Sequence, residues 1–328
     1  MAKTVAEAFA QFMTNTVNLK STNVSAARAS KDNLLRNIEE FSEKDGFFRL
    51  WPDINIQFGS FARGTKCQPL DDIDLMIGIH AEGAIYSDNF SWDNVKIYPS
   101  RISKAQNACL SDDRTLDSTK VLNRFRSMLE HVREYRNSEI HKNGEAVTLD
   151  LTSKTWSFDI VPCFLTTQEA DGRQYYLIPN GKGKWKKTDP RVDREAVQEA
   201  DTENRLRELI RLCKKWNKIK KCPTMPSYLL ETMLVDFANT QSESLKDDLP
   251  MRFASALLYV ATYIFDDVMD MKGIQGNINA LTKEAKVSVQ QRALDDCKKA
   301  IVALKCPDER MAINKWREIF GQEFPTYG

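Results

Sequence analysis

Apolar residues recur three or four positions apart through residues 4–44, at Val5, Phe9 and Phe12 and again at Leu34, Ile38 and Phe41. That is the spacing of one helix face, and it predicts a long or broken N-terminal helix lying along a core. The period then changes. Ile54-Asn55-Ile56-Gln57-Phe58 alternates as a strand does, Gly59-Ser60 interrupts it, and after a short helix the apolar run Ile73 to Ile79 reads as a second strand. Residues 81–117 are polar and irregular. Lys120 to Glu139 carries Val121, Phe125, Met128, Leu129 and Val132 on one face, as an amphipathic helix would. Ala146 to Leu151 and Ser157 to Phe164 read as two strands on either side of a turn at Ser153-Lys154. From Leu165 to Asp201 the composition shifts to Gly, Pro, Lys and Asp, with Ile178-Pro179-Asn180-Gly181 marking a turn, so this stretch reads as a hinge. Beyond Glu203 the pattern is helical: Leu206, Leu209, Ile210, Cys213 and Trp216 form one stripe, and 226–238, 251–265 and 286–304 repeat the habit. These elements describe an α+β chain: a mixed-sheet lobe at 1–165, a linker at 166–202 and a helical lobe at 203–328, with a ligand cleft expected between the lobes.

Composition narrows the function classes. With 328 residues and 42% hydrophobic content, an ordinary core needs neither disulfides nor structural metal. The seven cysteines, at 67, 109, 163, 213, 222, 297 and 306, are an odd number without a C-x-x-C pair, so no zinc site or disulfide framework is signalled and a reducing cytoplasm fits. No apolar run approaches the roughly 20 residues that span a bilayer. Met1-Ala2-Lys3-Thr4 does not open a signal-peptide core, so a soluble cytoplasmic protein is expected. A net charge of +1 argues against a surface built throughout for nucleic acid.

The chemistry gathers around Gly59-Ser60 and Asp72-Ile73-Asp74. In a strand, side chains alternate between faces, so Asp72 and Asp74 point the same way while Ile73 and Leu75 enter the core. Two carboxylates so close repel unless a cation or a proton lies between them. Hard oxygen ligands of this kind suit Mg²⁺ or Mn²⁺, usually in company with substrate phosphates. Gly59-Ser60, after a strand and before a short helix, lets backbone N–H groups and the Ser60 hydroxyl approach a phosphate. Asp71 alternates away from the pair and reads as a solvated turn residue. A two-metal site calls for a third acid. Asp159, set in the apolar strand Phe158-Asp159-Ile160-Val161-Pro162, is preferred because an unpartnered carboxylate there would be costly. Asp150 on the neighbouring strand is the alternative. With Asp72, Asp74 and Asp159 as catalytic and metal-binding residues and two divalent ions, the set suits attack of a ribose hydroxyl on an α-phosphorus with release of pyrophosphate.

Gly59-Ser60, Asp72-x-Asp74 and a later strand Asp159 resemble the DNA polymerase beta-like nucleotidyltransferase superfamily. Within it the chain is similar to the bacterial cGAS/DncV-like nucleotidyltransferases. Four segments carry that match: 57–65 (Gln57 to Thr65), 178–190 (Ile178-Pro179-Asn180-Gly181, Trp185 and Thr188-Asp189-Pro190), 209–217 (Leu209 to Asn217) and 226–231 (Pro226-Ser227-Tyr228-Leu229-Leu230-Glu231). The resemblance implies a polymerase beta-like lobe joined to a helical lobe, and synthesis of a cyclic di- or trinucleotide from ribonucleoside triphosphates, ATP among them, in anti-phage signalling. It implies that Lys214 reaches the triphosphate, Ser227 hydrogen bonds to it and Tyr228 stacks on the donor base. It also implies that Gly328, after the extended Glu323-Phe324-Pro325-Thr326-Tyr327, is either joined to other molecules by ubiquitin-transfer-like enzymes or a frayed end. Transfer of a nucleotide to an RNA, protein or small-molecule acceptor is the alternative reaction, and a silent nucleotide or RNA sensor the alternative class. The chain departs from the animal DNA sensor: His80, His131 and His141 are scattered without a cysteine cluster, and the N-terminal helix mixes charges, so no strong double-stranded DNA site is expected. Lys182, Lys184, Lys186 and Lys187 around Trp185 read either as an anion-binding strip or as a solvated linker.

Overall fold

The computed structural model describes residues 1–88, 90–219 and 225–328. They form two compact units: Thr22–Ala62 with Leu70–Arg191, and Met1–Ser21 with Arg63–Pro69 and Val192–Gly328. The expected boundaries at 165 and 202 therefore differ from the observed grouping, which draws the N-terminal residues and a short segment after Ala62 into the helical unit.

The first unit is built on nine strands: β1 (Ile56–Phe58), β2 (Asp72–Gly78), β3 (Ile85–Ser87), β4 (Lys96–Tyr98), β5 (Glu139–Asn143), β6 (Ala146–Asp150), β7 (Ser157–Leu165), β8 (Tyr176–Pro179) and β9 (Trp185–Thr188). Seven form one sheet in the order β1-β2-β7-β6-β5, with β8 pairing the far end of β7 and β9 pairing β8; β3 and β4 make a separate ribbon. Among the named strands of the described residues, only β2 and β7 run parallel. Their apolar runs, Ile73 with Leu75 to Ile77 and Phe158 with Ile160 to Phe164, are buried on both faces, the pattern of a central strand. Helix Ser118–Glu130, capped by the Asp117 carboxylate, lays Val121, Leu122, Phe125 and Leu129 against β5, β6 and β7. Helix Ser21–Glu39 buries Ala27, Leu34 and Ile38.

The stretch expected as a linker is instead structured: it holds β8, β9 and helix Pro190–Ala200. Its lysines are neither a solvated linker nor an open anion strip. Lys184 pairs with Asp113 at 2.8 Å, Lys186 with Glu145, and the buried Lys187 with Asp88 at 2.7 Å and Glu169 at 2.8 Å, while Lys182 is exposed. Trp185 between them is fully buried and donates its indole N–H to the Leu116 carbonyl.

The second unit is helical. Val5–Phe12 continues into a π turn at Met13–Val17, so the N-terminal helix is broken, and helices Arg205–Ile219, Ser227–Thr240, Leu249–Tyr263, Lys283–Leu304 and Glu309–Phe320 complete the core. Asp248, Thr282 and Asp308 cap three of them through their side-chain oxygens. Phe9, Phe12, Trp316, Phe320 and Phe324 gather in edge and tilted contacts, Phe9 and Trp316 with ring centroids 4.8 Å apart. The tail is docked, which removes the frayed-end alternative. Phe324 is buried, the Ala2 amide donates to the Thr326 carbonyl at 2.8 Å, and the Gly328 amide donates to the Ala2 carbonyl at 3.2 Å. Cys222 lies outside the described residues, and the other six cysteines are free thiols. No helix among the described residues is long and apolar enough to cross a membrane.

Candidate active site

Strand pairing sets the geometry of the acids. On β2, Asp72 and Asp74 share a face; in the parallel register with β7, Asp74 stands opposite Asp159 and Asp72 opposite Ser157. All three acids are half-buried; Asp74 and Asp159 sit between buried neighbours, and Asp72 lies between exposed Asp71 and buried Ile73. Asp150 lies on the same face, but on β6, opposite Ser157 and so two strands from Asp72. At about 4.8 Å per strand it is roughly 10 Å away across the sheet. Asp150 is instead within 3.6 Å of His141 near the surface. The Asp159 carboxylate receives the Thr148 hydroxyl on Oδ1 at 2.6 Å, from the position opposite it on β6. That bond orients the group and leaves Oδ2 for other chemistry. Asp71 is exposed, and its carbonyl accepts from the Ser157 amide.

β1 ends at Phe58, opposite Asp74, and Gly59 opens helix Gly59–Arg63 at φ +70°. A Cβ at Gly59 would lie 1.8 Å from Asp74 Oδ2, so glycine is required twice, by the backbone and by the carboxylate packed against it. Ser60 follows, half-buried. Among the described residues, no three His, Cys, Asp or Glu side chains close around an ion as they stand. The donor set itself, hard oxygens on adjacent positions of one face, fits Mg²⁺ or Mn²⁺.

The helical unit holds the other expected residues in a buried ionic network. Lys214 is 5% exposed; its Nζ donates to Glu231 Oε1 at 2.6 Å. Glu231, fully buried, also takes the Arg63 guanidinium at 2.8 Å and the Thr65 hydroxyl. Burial opposes the Glu231 charge, but Lys214 and Arg63 outweigh it and hold its carboxyl below the usual range. Burial, with Arg63 beside it, pushes the Lys214 ammonium down from its ordinary value despite Glu231. Two cations share one anion, so the group carries a net positive charge. On helix Arg205–Ile219 the residues 207, 211 and 214 share a face. Arg207 donates to the Arg63 carbonyl at 2.8 Å and Arg211 to the Gly64 carbonyl at 2.6 Å, so successive turns bind successive residues of segment Arg63–Pro69. Ser227 is the exposed first residue of helix Ser227–Thr240, where the leading amides have no intrahelical acceptor. Tyr228 beside it is half-buried, its phenol oxygen 2.7 Å from Asp193 Oδ1 and 2.6 Å from Asp270 Oδ1. Gly328 is exposed at the docked tail.

Sequence reasoning missed Arg63, Thr65, Arg207, Arg211 and Glu231 as a group. The i, i+4, i+7 spacing of the cations on one helix was a legible signal, and Glu231 inside the apolar run after Tyr228 was another.

Residues 3–201 match the family model described as the Second Messenger Oligonucleotide or Dinucleotide Synthetase domain. The chain is 36% identical to a probable cyclic nucleotide synthase of Bacillus cereus (strain VD146), over 100% of this chain and 99% of the relative. Among solved structures, Escherichia coli MS115-1 CdnC with ATP superposes with a TM-score of 0.72 at 17% identity, covering 98% of each chain. CdnC in complex with HORMA-deltaN superposes with a TM-score of 0.69 at 17% identity, again over 98% of each chain. The structural likeness shows the shared α+β nucleotidyltransferase fold; the family model and the full-length relative place the chain in the Second Messenger Oligonucleotide or Dinucleotide Synthetase family of bacterial cGAS/DncV-like nucleotidyltransferases.

Proposed function

We propose that this chain is a cyclic oligonucleotide synthase of bacterial anti-phage signalling, joining ribonucleoside triphosphates with release of pyrophosphate. The observation that carries this reading is the 36% identity, end to end, with a probable cyclic nucleotide synthase. ATP is the first substrate to test, since the CdnC structure contains it. The product is a cyclic di- or trinucleotide.

Mg²⁺ or Mn²⁺, two ions held by Asp72, Asp74 and Asp159, would neutralise triphosphate charge and make a ribose hydroxyl more acidic. The protein's own groups do the rest. Gly59 amide and Ser60 hydroxyl bind phosphate oxygens. Asp159, oriented through Oδ1 by Thr148, keeps Oδ2 to accept the proton of the incoming hydroxyl, whose oxygen then bonds to the α-phosphorus as the bond to the departing pyrophosphate breaks. The net positive charge of Lys214, Arg63 and Glu231 favours the triphosphate. The amides at Ser227 add an anion site at a helix N-terminus. Tyr228 supplies a ring on which a base stacks, worth about 1–3 kcal/mol in nucleic-acid binders. The resemblance extends to ubiquitin-transfer-like enzymes acting at Gly328; an adduct in the intact mass that is lost when Gly328 is removed would report them. HORMA-type partners, as in the CdnC complex, are a further binding test.

The decisive experiment is incubation with the four ribonucleoside triphosphates and Mg²⁺ or Mn²⁺, with mass spectrometry of small products. A cyclic oligonucleotide mass is expected, absent from the Asp72→Ala/Asp74→Ala double variant, which keeps its circular dichroism. Unchanged turnover in that variant would overturn the metal assignment.

A further inference from the structure

The phenol oxygen of Tyr228 is surrounded by charged groups. Asp193 Oδ1 lies 2.7 Å away, Asp270 Oδ1 2.6 Å and Lys272 Nζ 2.6 Å, and all three side chains are buried. Lys272 also stands 3.0 Å from Asp270 and 3.5 Å from Asp193. Its Nζ is 4.1 Å from the Tyr228 ring centroid, farther than from the phenol oxygen, so the cation meets the hydroxyl end of the side chain. A ring needed only for packing would be cheaper to hold as Phe; burying three charges around one hydroxyl is costly unless position itself is at stake.

Asp270 is also what shapes its loop. Its Oδ2 accepts the amides of Ile274 and Gln275, its backbone amide donates to the Gly276 carbonyl, and a bridge between Met269 and Asn277 closes the turn. The carboxylate that folds the loop through one oxygen grips the phenol through the other. Rigid first-contact groups need such support, because a platform that rotates loses orientation for whatever lies on it.

We propose that Asp270 and Lys272 are positioning residues that lock the Tyr228 ring as a nucleobase platform. The inference rests on the reading of Tyr228 as the stacking residue. Neither Asp270 nor Lys272 touches the base; they act through the phenol, so the effect falls on nucleotide affinity.

Steady-state kinetics of the full chain with ATP, with calorimetric binding of a non-hydrolysable ATP analogue and thermal melts, test this. Tyr228→Phe and Lys272→Met are each expected to raise KM about tenfold with kcat within twofold, and Lys272→Arg to restore most of the loss. In the Tyr228→Phe background, Lys272→Met should add no further rise in KM, because the phenol through which it acts is gone. A rise of equal factor in both backgrounds, or no KM change in a folded Lys272→Met, overturns the positioning role. If Lys272→Met fails to fold, Tyr228→Phe decides alone: unchanged KM and analogue affinity overturn the role, and raised KM with matching loss of affinity supports it. Tyr228→Ala separates the two layers. Unchanged KM there overturns the stacking reading and the inference together, whereas raised KM in Tyr228→Ala beside unchanged KM in Tyr228→Phe and Lys272→Met overturns the inference alone.

Discussion

Gly59 carries two constraints in one residue, a positive φ and a neighbouring carboxylate where a Cβ would fall. Gly59→Ala is expected to displace Asp74 and to lower turnover by about 100-fold, the cost typical of an ångström-scale misplacement. Loss of stability of about 1–3 kcal/mol should accompany it. Turnover and denaturant midpoints measured together would check both. Asp193 makes a different case. Burial raises its carboxyl above the ordinary value of 3.8, opposed by Lys272, Tyr228 and Arg63, with Asp270 acting in the same sense as burial. A carboxyl raised in the folded state contributes stability that is complete below its unfolded value and is lost as pH rises through the folded one. Asp193→Asn should therefore gain stability relative to the parent as pH rises from 4 toward neutrality, read as the difference in melting temperature across that range.

Two helices carry the groups gathered around Glu231 and Tyr228 in the helical unit. Arg205–Ile219 offers Arg207, Arg211 and Lys214, and Ser227–Thr240 offers Ser227, Tyr228 and Glu231 within its first two turns. Glu231 is the carboxylate that both Arg63 and Lys214 hydrogen bond, so Glu231→Gln leaves two buried cations facing a neutral amide. A loss of about 3–5 kcal/mol is expected, measured by chemical denaturation at neutral pH. The main elements were legible from periodicity. The stripe Leu206, Leu209, Ile210, Cys213 and Trp216 became a helix, and the runs at 146–151 and 157–164 became β6 and β7. β5, β8 and β9 escaped notice for physical reasons. Glu139-Ile140-His141-Lys142-Asn143 is an edge strand whose side chains are largely exposed, so it lacks the apolar signal. Lys186 and Lys187 read as coil because their pairing with Glu145, Asp88 and Glu169 depends on residues 18 to 99 positions away. At the site, local spacing announced Asp72 and Asp74, whereas the advantage of Asp159 over Asp150 in distance appeared only with the strand order.

On the scale of the whole molecule, the chain enters the helical unit three times, at 1–21, 63–69 and 192–328. The domain matched by the family model, 3–201, thus contains two segments whose packing partners lie beyond it. A 1–201 fragment is expected to be protease-sensitive at 1–21 and 63–69, where the full chain resists; limited proteolysis with peptide mapping would show it. Phe324→Ala, opening a cavity among Phe9, Phe12 and Phe320, should cost about 3–5 kcal/mol by denaturation. The parallel neighbours β2 and β7 have a further consequence. Parallel strands demand a crossover, and here everything from residue 79 to 156 is that crossover. The spacing of Asp74 and Asp159 is dictated by ladder register and is indifferent to how much chain intervenes. Insertions or deletions in the loops of that stretch, away from β6 and its Thr148, can change the length of the crossover without disturbing the acids, and a motif search keyed to fixed intervals will find Gly59 to Asp74 while losing the third carboxylate.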